Sequence, residues 1–196
     1  MSAPPTSPRA AAPLALALCA AFAACGVANT FSPAVLANTL GTVTLWALTG
    51  TGLADPSAYD VLGQTVARTD RTSGFDFAFD IRVDTLHDTS AVLLPRGALG
   101  LYTDGGLQVT TQAFDSITIA PTSGYQDTLP VVVKVGTVVL VQSRQETCSN
   151  GYIKPLYAKL NITAVDLVGR SITFGIVPNA NCGYRSLQVD TVPPTY

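Results

Sequence analysis

From about residue 40 to residue 177 the chain alternates apolar and polar positions with a period of two, and almost nowhere with a helical period. The clearest run is 75–83, where Phe75, Phe77, Phe79, Ile81 and Val83 fall on one side and Asp76, Ala78, Asp80 and Arg82 on the other. A repeat of two sends successive side chains to opposite faces of a strand and does not fit a helical stripe. This run is therefore predicted as a core strand with Asp76 and Asp80 on a solvated face. Residues 171–177 repeat the pattern with Ile172, Phe174 and Ile176 inward. In 156–164, Leu156, Ala158, Leu160, Ile162 and Ala164 share the core side, while Tyr157, Lys159, Asn161 and Thr163 face the other way. Near the start, Val43, Leu45 and Ala47 alternate with Thr42, Thr44 and Trp46 and run into the turn residues Thr49, Gly50, Thr51 and Gly52. Trp46, the only tryptophan, reads as a core or sheet-face anchor, because large aromatics dominate burial wherever they occur.

Two β-branched runs, 131–135 and 137–143, are separated by Gly136 and read as paired or kinked strands. Between residues 54 and 73 the chain is polar, with Val61, Leu62 and Val66 as material for one short strand. Short apolar pieces at 91–94, 98–102, 107–110 and 114–120 are bounded by turns, and Asp104-Gly105 reads as a hairpin between two of them. Strands at this spacing indicate a sandwich or barrel. The fold expected is all-β: a single-domain antiparallel β-sandwich of about nine or ten strands, with little helix and one disulfide. At 196 residues the chain is long enough for one sizeable core.

The first 24 residues are set apart by a different pattern. A weakly positive start containing Arg9 precedes the apolar segment 10–24, which has the length of a signal-peptide core and is short for a bilayer span. Its end, Phe22-Ala23-Ala24-Cys25-Gly26, resembles the lipobox of bacterial lipoproteins, although Phe22 stands where that motif usually has Leu. The resemblance implies that Cys25 is lipidated and becomes the new N-terminus. The competing reading is ordinary signal-peptidase cleavage after Ala23 or after Ala28, where small residues also occupy the required positions. The expected organisation is a removed signal at 1–24, a lipid-anchored tether at 25–38, the sandwich at 39–190 and a short tail at 191–196. The same resemblance implies a location: lipoproteins retained at an inner membrane carry Asp after the acylated cysteine, Gly26 stands there instead, and the outer membrane is therefore expected where the cell has one, with a periplasmic or secreted protein as the alternative.

Cysteine usage fits export. Cys19 leaves with the signal and Cys25 takes the lipid, which leaves Cys148 and Cys182 as an even pair in an oxidising compartment. Both sit in loop-like sequence at the ends of long strands, where a bridge would staple them. The alternative for the pair, zinc or redox chemistry, is not supported by a C-x-x-C spacing or a neighbouring histidine.

The formal net charge of −2 and the lack of Lys or Arg runs exclude a basic footprint, so no nucleic-acid partner is expected. After removal of 1–24, ten bases face thirteen acids. Asp76, Asp80 and Asp84 do not make a calcium site on a strand, because residues four apart are roughly 13 Å apart. His87 is the single histidine, flanked by Asp84, Asp88 and Ser90. A serine hydrolase needs those groups assembled around an oxyanion hole, which adjacent loop residues do not form, and no G-x-S-x-G is present. The expectation is no enzyme, no cofactor and no metal. Tyr102, Tyr125, Tyr152 and Tyr184, all near loops, are candidate exposed aromatics for a recognition surface, with His87 beside them.

A second resemblance rests on three features together: the lipobox, the strand Phe75-Asp76-Phe77-Ala78-Phe79, and a Gly136-x-Val138-x-x-Val141 strand followed by Tyr157-Ala158-Lys159-Leu160-x-Ile162. These resemble the HmuY-type bacterial surface lipoproteins, a family of β-sandwich haem binders, and cover about a quarter of the mature chain. The resemblance implies a sandwich fold more than a function, because the family's haem binders use two histidines and His87 stands alone. The reading is an exported, lipid-anchored envelope protein, a non-catalytic binding or structural module. It would reach the membrane through its lipid and meet an envelope protein or a small ligand. A haem or small-ligand scavenger is the alternative, and a secreted hydrolase the remote one.

Overall fold

The computed structural model describes residues 33–83 and 86–194. Among these, ten strands form two five-stranded sheets in which every pairing is antiparallel. The first sheet runs in the order β1 (Gly41–Trp46), β10 (Ser171–Asn179), β9 (Ile153–Asp166), β8 (Val138–Thr147) and β6 (Gly106–Thr110). The second runs β3 (Thr65–Ala67), β2 (Ala58–Asp60), β4 (Phe77–Val83), β5 (Thr89–Pro95) and β7 (Val131–Val133). The all-β sandwich expected from the period of two is the fold found. Helix among the described residues is confined to the 3-10 turns Arg96–Leu99 and Phe114–Ser116.

The inner faces interdigitate as the alternation requires. Phe77, Phe79, Ile81 and Leu93 of the second sheet meet Leu45, Val139, Val141, Leu156, Leu160, Ile172 and Phe174 of the first. At the centre, Phe77 and Phe174 approach to 5.9 Å between ring centroids, and Tyr59 meets Phe174 edge-on at 6.3 Å. Burying each such side chain is worth about 1.5–3 kcal/mol before its lost freedom is counted. The two β-branched runs around Gly136 are not partners of each other. Gly136, at φ 85°, turns the corner that carries β7 in one sheet to β8 in the other.

Several local expectations are corrected. Residues 98–102 and 114–120 do not form strands, since much of each is 3-10 turn or irregular chain. Asp104-Gly105 is not a hairpin, for β6 pairs with β8. Gly105 is needed for another reason: a Cβ there would lie 2.7–2.9 Å from the backbone of Gln142, Ser143 and Arg144. In β9 the inward side continues with Val165 instead of Ala164, which is exposed. A bulge opposite Thr173/Phe174 inserts Thr163, and one inserted residue reverses a period of two.

The largest correction concerns the outer faces. Asp76 and Asp80 were expected in solvent, yet they are 1% and 5% exposed, and Tyr157 and Lys159 are likewise buried. Long connections cover both sheets. Ile117, Ala120 and Leu187 pack over Val138, Leu140 and Tyr157, while Phe75 packs with Ala78, Val92 and Leu94 on the other sheet. Asp84 lies outside the described residues.

Candidate functional site

One end of the sandwich gathers more unusual chemistry than the rest. Cys148 closes the β8–β9 hairpin, its N–H donating to Tyr152 O at 2.7 Å, and Cys182 follows the end of β10. The two are disulfide-bonded with Cα atoms 5.6 Å apart, as their pairing in the sequence predicts. Beside the bridge, Asn181 works as a surrogate strand. Its Oδ1 accepts the N–H groups of Val35 and Leu36, both at 3.0 Å, and its Nδ2 donates to Leu36 O at 2.8 Å. A primary amide carries donor and acceptor in one plane, which lets it pair with a peptide segment as another peptide would. Asn179 fixes Asn181 by accepting its N–H and Nδ2, both at 2.9 Å. Tyr184 Oη accepts the Ala34 N–H at 3.1 Å, and Asn38 exchanges backbone bonds with Thr191 and Asp190. Residues 34–38, which lack a period in the sequence, are thus strapped to 179–191.

The strap and the bridge enclose a groove of about 390 Å³ bordered by Val35, Leu36, Leu62, Leu156, Tyr184 and the disulfide. Its mouth is mixed, with exposed Thr147, Ser149 and Asn150 beside exposed apolar side chains. Val35 is 77% exposed, Leu36 51% and Leu62 43%; across the hairpin from Cys148 and Thr147, Tyr152 and Ile153 are 48% and 62% exposed.

A charged cluster ties the sheets together near this groove. A bulge at Ser143 and Arg144 interrupts the β8–β9 ladder, and the Ser143 hydroxyl fills the gap by accepting the Leu156 N–H at 2.7 Å. The bulge turns Arg144 across to the second sheet. Its Nη1 reaches Asp60 at 3.0 Å and Asp76 at 3.2 Å, and its Nε reaches Glu146 at 2.9 Å. Asp76 also accepts the N–H of Arg144 at 2.9 Å and of Val61 at 2.7 Å. Burial holds the Asp76 carboxyl above the usual range despite these donors. On Arg144 burial opposes the charge, but Asp76, Asp60 and Glu146 outweigh it and the guanidinium sits above its ordinary value. Tyr59, buried beside Asp60 and Asp76, is pushed up to about 12. Every charge in this cluster has a partner, so its role is to join the sheets.

Lys159 forms a second polar centre on the outer face of the first sheet. Its Nζ donates to Phe114 O at 2.9 Å and Ile117 O at 2.8 Å and lies 4.7 Å from the centroid of the Phe114 ring. Burial lowers this amine's pKa, with Asp115 acting in the opposite sense. Two carbonyl acceptors and a ring occupy the ammonium, which pins the loop 112–121 to β9. Among the described residues no group of three or more His, Cys, Asp or Glu side chains is placed to hold a metal.

The residues singled out from the sequence do not converge. Tyr102 is 81% exposed on the loop before β6. Tyr125 is half-buried, donates to Pro121 O at 3.1 Å and stacks at a tilt on Tyr157; burial raises its phenol. Tyr184 is buried beneath the strap, so the expectation that Tyr125 and Tyr184 are exposed aromatics is corrected. His87 is exposed in the β4–β5 connection with a left-handed φ of 67°. Only Tyr152 and Tyr184 lie at the disulfide end, while Cys25 falls outside the described residues. Asn179 and Asn181, which organise that end, fall in the loop-like sequence around Cys182. Their only signal was an Asn-x-Asn next to a cysteine, too common to single out. The sequence matches no known protein-family model, and no curated protein matches it.

Proposed function

We propose that the chain is an exported protein anchored in the cell envelope by a lipid on Cys25, and that its sandwich serves as a non-catalytic binding or structural module. The observation that carries this reading is the use of the cysteines. The bridge consumes Cys148 and Cys182, which fits an oxidising compartment, and leaves Cys25 at the lipobox-like stretch Phe22-Ala23-Ala24-Cys25. The motif resemblance to HmuY-type surface lipoproteins points to the same compartment. The histidine and tyrosines that a haem reading would use are dispersed: His87 is on an exposed loop and Tyr184 is committed to the strap. The three carboxylates of the charged cluster, Asp60, Asp76 and Glu146, share the single guanidinium of Arg144, an arrangement suited to joining sheets rather than to acid–base work.

Intact mass of the protein extracted from its own membrane tests the reading. A chain beginning at Cys25 with a diacyl- or triacylglyceryl increment, gaining two alkylatable thiols only after reduction, is the expected result. A chain beginning at Ala24 or Asn29 without lipid would overturn the anchor and make the protein a diffusible one.

A further inference from the structure

We propose that the disulfide end of the sandwich rests on the bilayer, with Val35, Leu36, Leu62, Tyr152 and Ile153 set into the interface around the groove. This rests on the lipid-anchor reading and adds an orientation and a contact surface to it. Three observations carry it. The first is tether length: eight peptide steps separate Cys25 from Pro33, so the start of the described chain stands at most about 29 Å from the lipidated residue. The second is where that tether enters. Residues 34–36 are hydrogen-bonded to Asn181 and Tyr184 beside the bridge, so the anchor is delivered to this end and not to the far one. The third is composition. The mouth of the groove exposes Val35, Leu36 and Leu62, and the adjoining β8–β9 hairpin exposes Tyr152 and Ile153, so five apolar or aromatic side chains share this end, whereas scattered single ones would need no explanation. Tyrosine and aliphatic residues together suit the boundary between headgroups and acyl chains, where an apolar face sinks about 5–10 Å.

The opposite end also exposes apolar side chains, Val168 at 95% and Leu167 at 43% in the turn after β9 and Val135 at 59% beside it, so the entry point of the tether, not composition, selects between the ends. β9 runs the length of the sheet from Ile153 to Asp166, which separates Ile153 from Val168 by roughly 40 Å. One strand therefore supplies both a test position and its control.

The experiment uses the full lipidated chain in phosphatidylcholine vesicles, with Trp46→Phe removing the native fluorophore and a single tryptophan introduced by Ile153→Trp, Val35→Trp or Val168→Trp. Lipids brominated on their acyl chains quench tryptophans that reach the interface. The proposal expects the tryptophans at 153 and 35 to lose the larger part of their emission, and the one at 168 to keep it. Equal quenching at all three positions, or stronger quenching at 168, would overturn it. An emission shift at 153 that follows protein concentration without lipid quenching would also overturn it, and would assign the surface to a second copy of the chain. Intact mass on the same samples separates this outcome from failure of the anchor itself. If Cys25 proves unlipidated, the exported chain tethered through an N-terminal hexahistidine to nickel-chelating lipid repeats the quenching comparison at the same attachment point.

Discussion

Removing the Arg144 guanidinium, as in Arg144→Met, isolates the ionic joint between the sheets. Asp76 has a fully buried side chain, and in the variant it keeps two donors, the N–H groups of Val61 and of residue 144 itself. Asp60 and Glu146 are 18% and 22% exposed and hydrate more readily. Breaking a buried pair by deleting one partner costs about 3–5 kcal/mol. The retained backbone donors and the aliphatic part of Met place this case at the lower end, about 3 kcal/mol. For a folded unit of about 160 residues, that corresponds to a fall of about 9 °C in Tm. The dependence on pH is more diagnostic. Burial already holds the Asp76 carboxyl above its usual range, and Arg144 is one of the influences pulling it down, so the variant raises it further. A carboxyl raised in the folded state contributes full stability below its unfolded value of about 3.9 and loses it as pH climbs through the folded value. The deficit of Arg144→Met against the parent is therefore greatest near neutrality and shrinks as the pH falls toward about 4. Urea denaturation followed through the half-buried Trp46 across this range measures it. A deficit below about 1 kcal/mol at neutral pH, or one that does not change with pH, would refute the argument that Asp76 is a charged, buried partner.

Two other substitutions probe separate joints. Replacing both Cys148 and Cys182 with Ala frees a cross-link of sequence separation 34, which the chain-entropy account values at about 3.8 kcal/mol, or about 11 °C in Tm; calorimetry of the oxidised parent and the variant measures it, and a loss under about 1 kcal/mol would sink that account. Lys159→Met leaves the Ile117 carbonyl without its lysine donor and the Phe114 carbonyl with the Ile117 N–H, while relieving the buried ammonium, for a net cost of about 2 kcal/mol. Amide exchange is expected to accelerate in 112–121 and not in β4; unchanged exchange there would show that the lysine does not hold the loop.

The alternation of apolar and polar residues made the inner faces legible because burial between two sheets acts on every second side chain without reference to distant loops. Phe77, Phe79, Ile172 and Phe174 sit where their period places them. It failed at two kinds of place. At Thr163 an inserted residue reverses the phase, and nothing in a β-branched run marks which residue will bulge. On the outer faces, the position of Asp76 or Lys159 tells only that the side chain leaves the core. Whether it meets water depends on connections such as 112–121 and 184–188, whose paths are set by tertiary packing. The candidate site shared this limit. The disulfide was readable from cysteine parity, but the strap depends on Asn181 pairing with residues nearly 150 positions away, a contact with no local signature.

The strap also sets a load path. Tension drawn in at Pro33 reaches Ala34, Val35 and Leu36 before β1, and their hydrogen bonds to Tyr184 and Asn181 stretch as a group. Asn181 is the immediate neighbour of Cys182, so that force passes through a covalent bond into the β8–β9 hairpin at the middle of the sheet. Edge strand β1 is thereby spared the role of first link, and a pull on the tether must shear a clamped corner before it peels a strand.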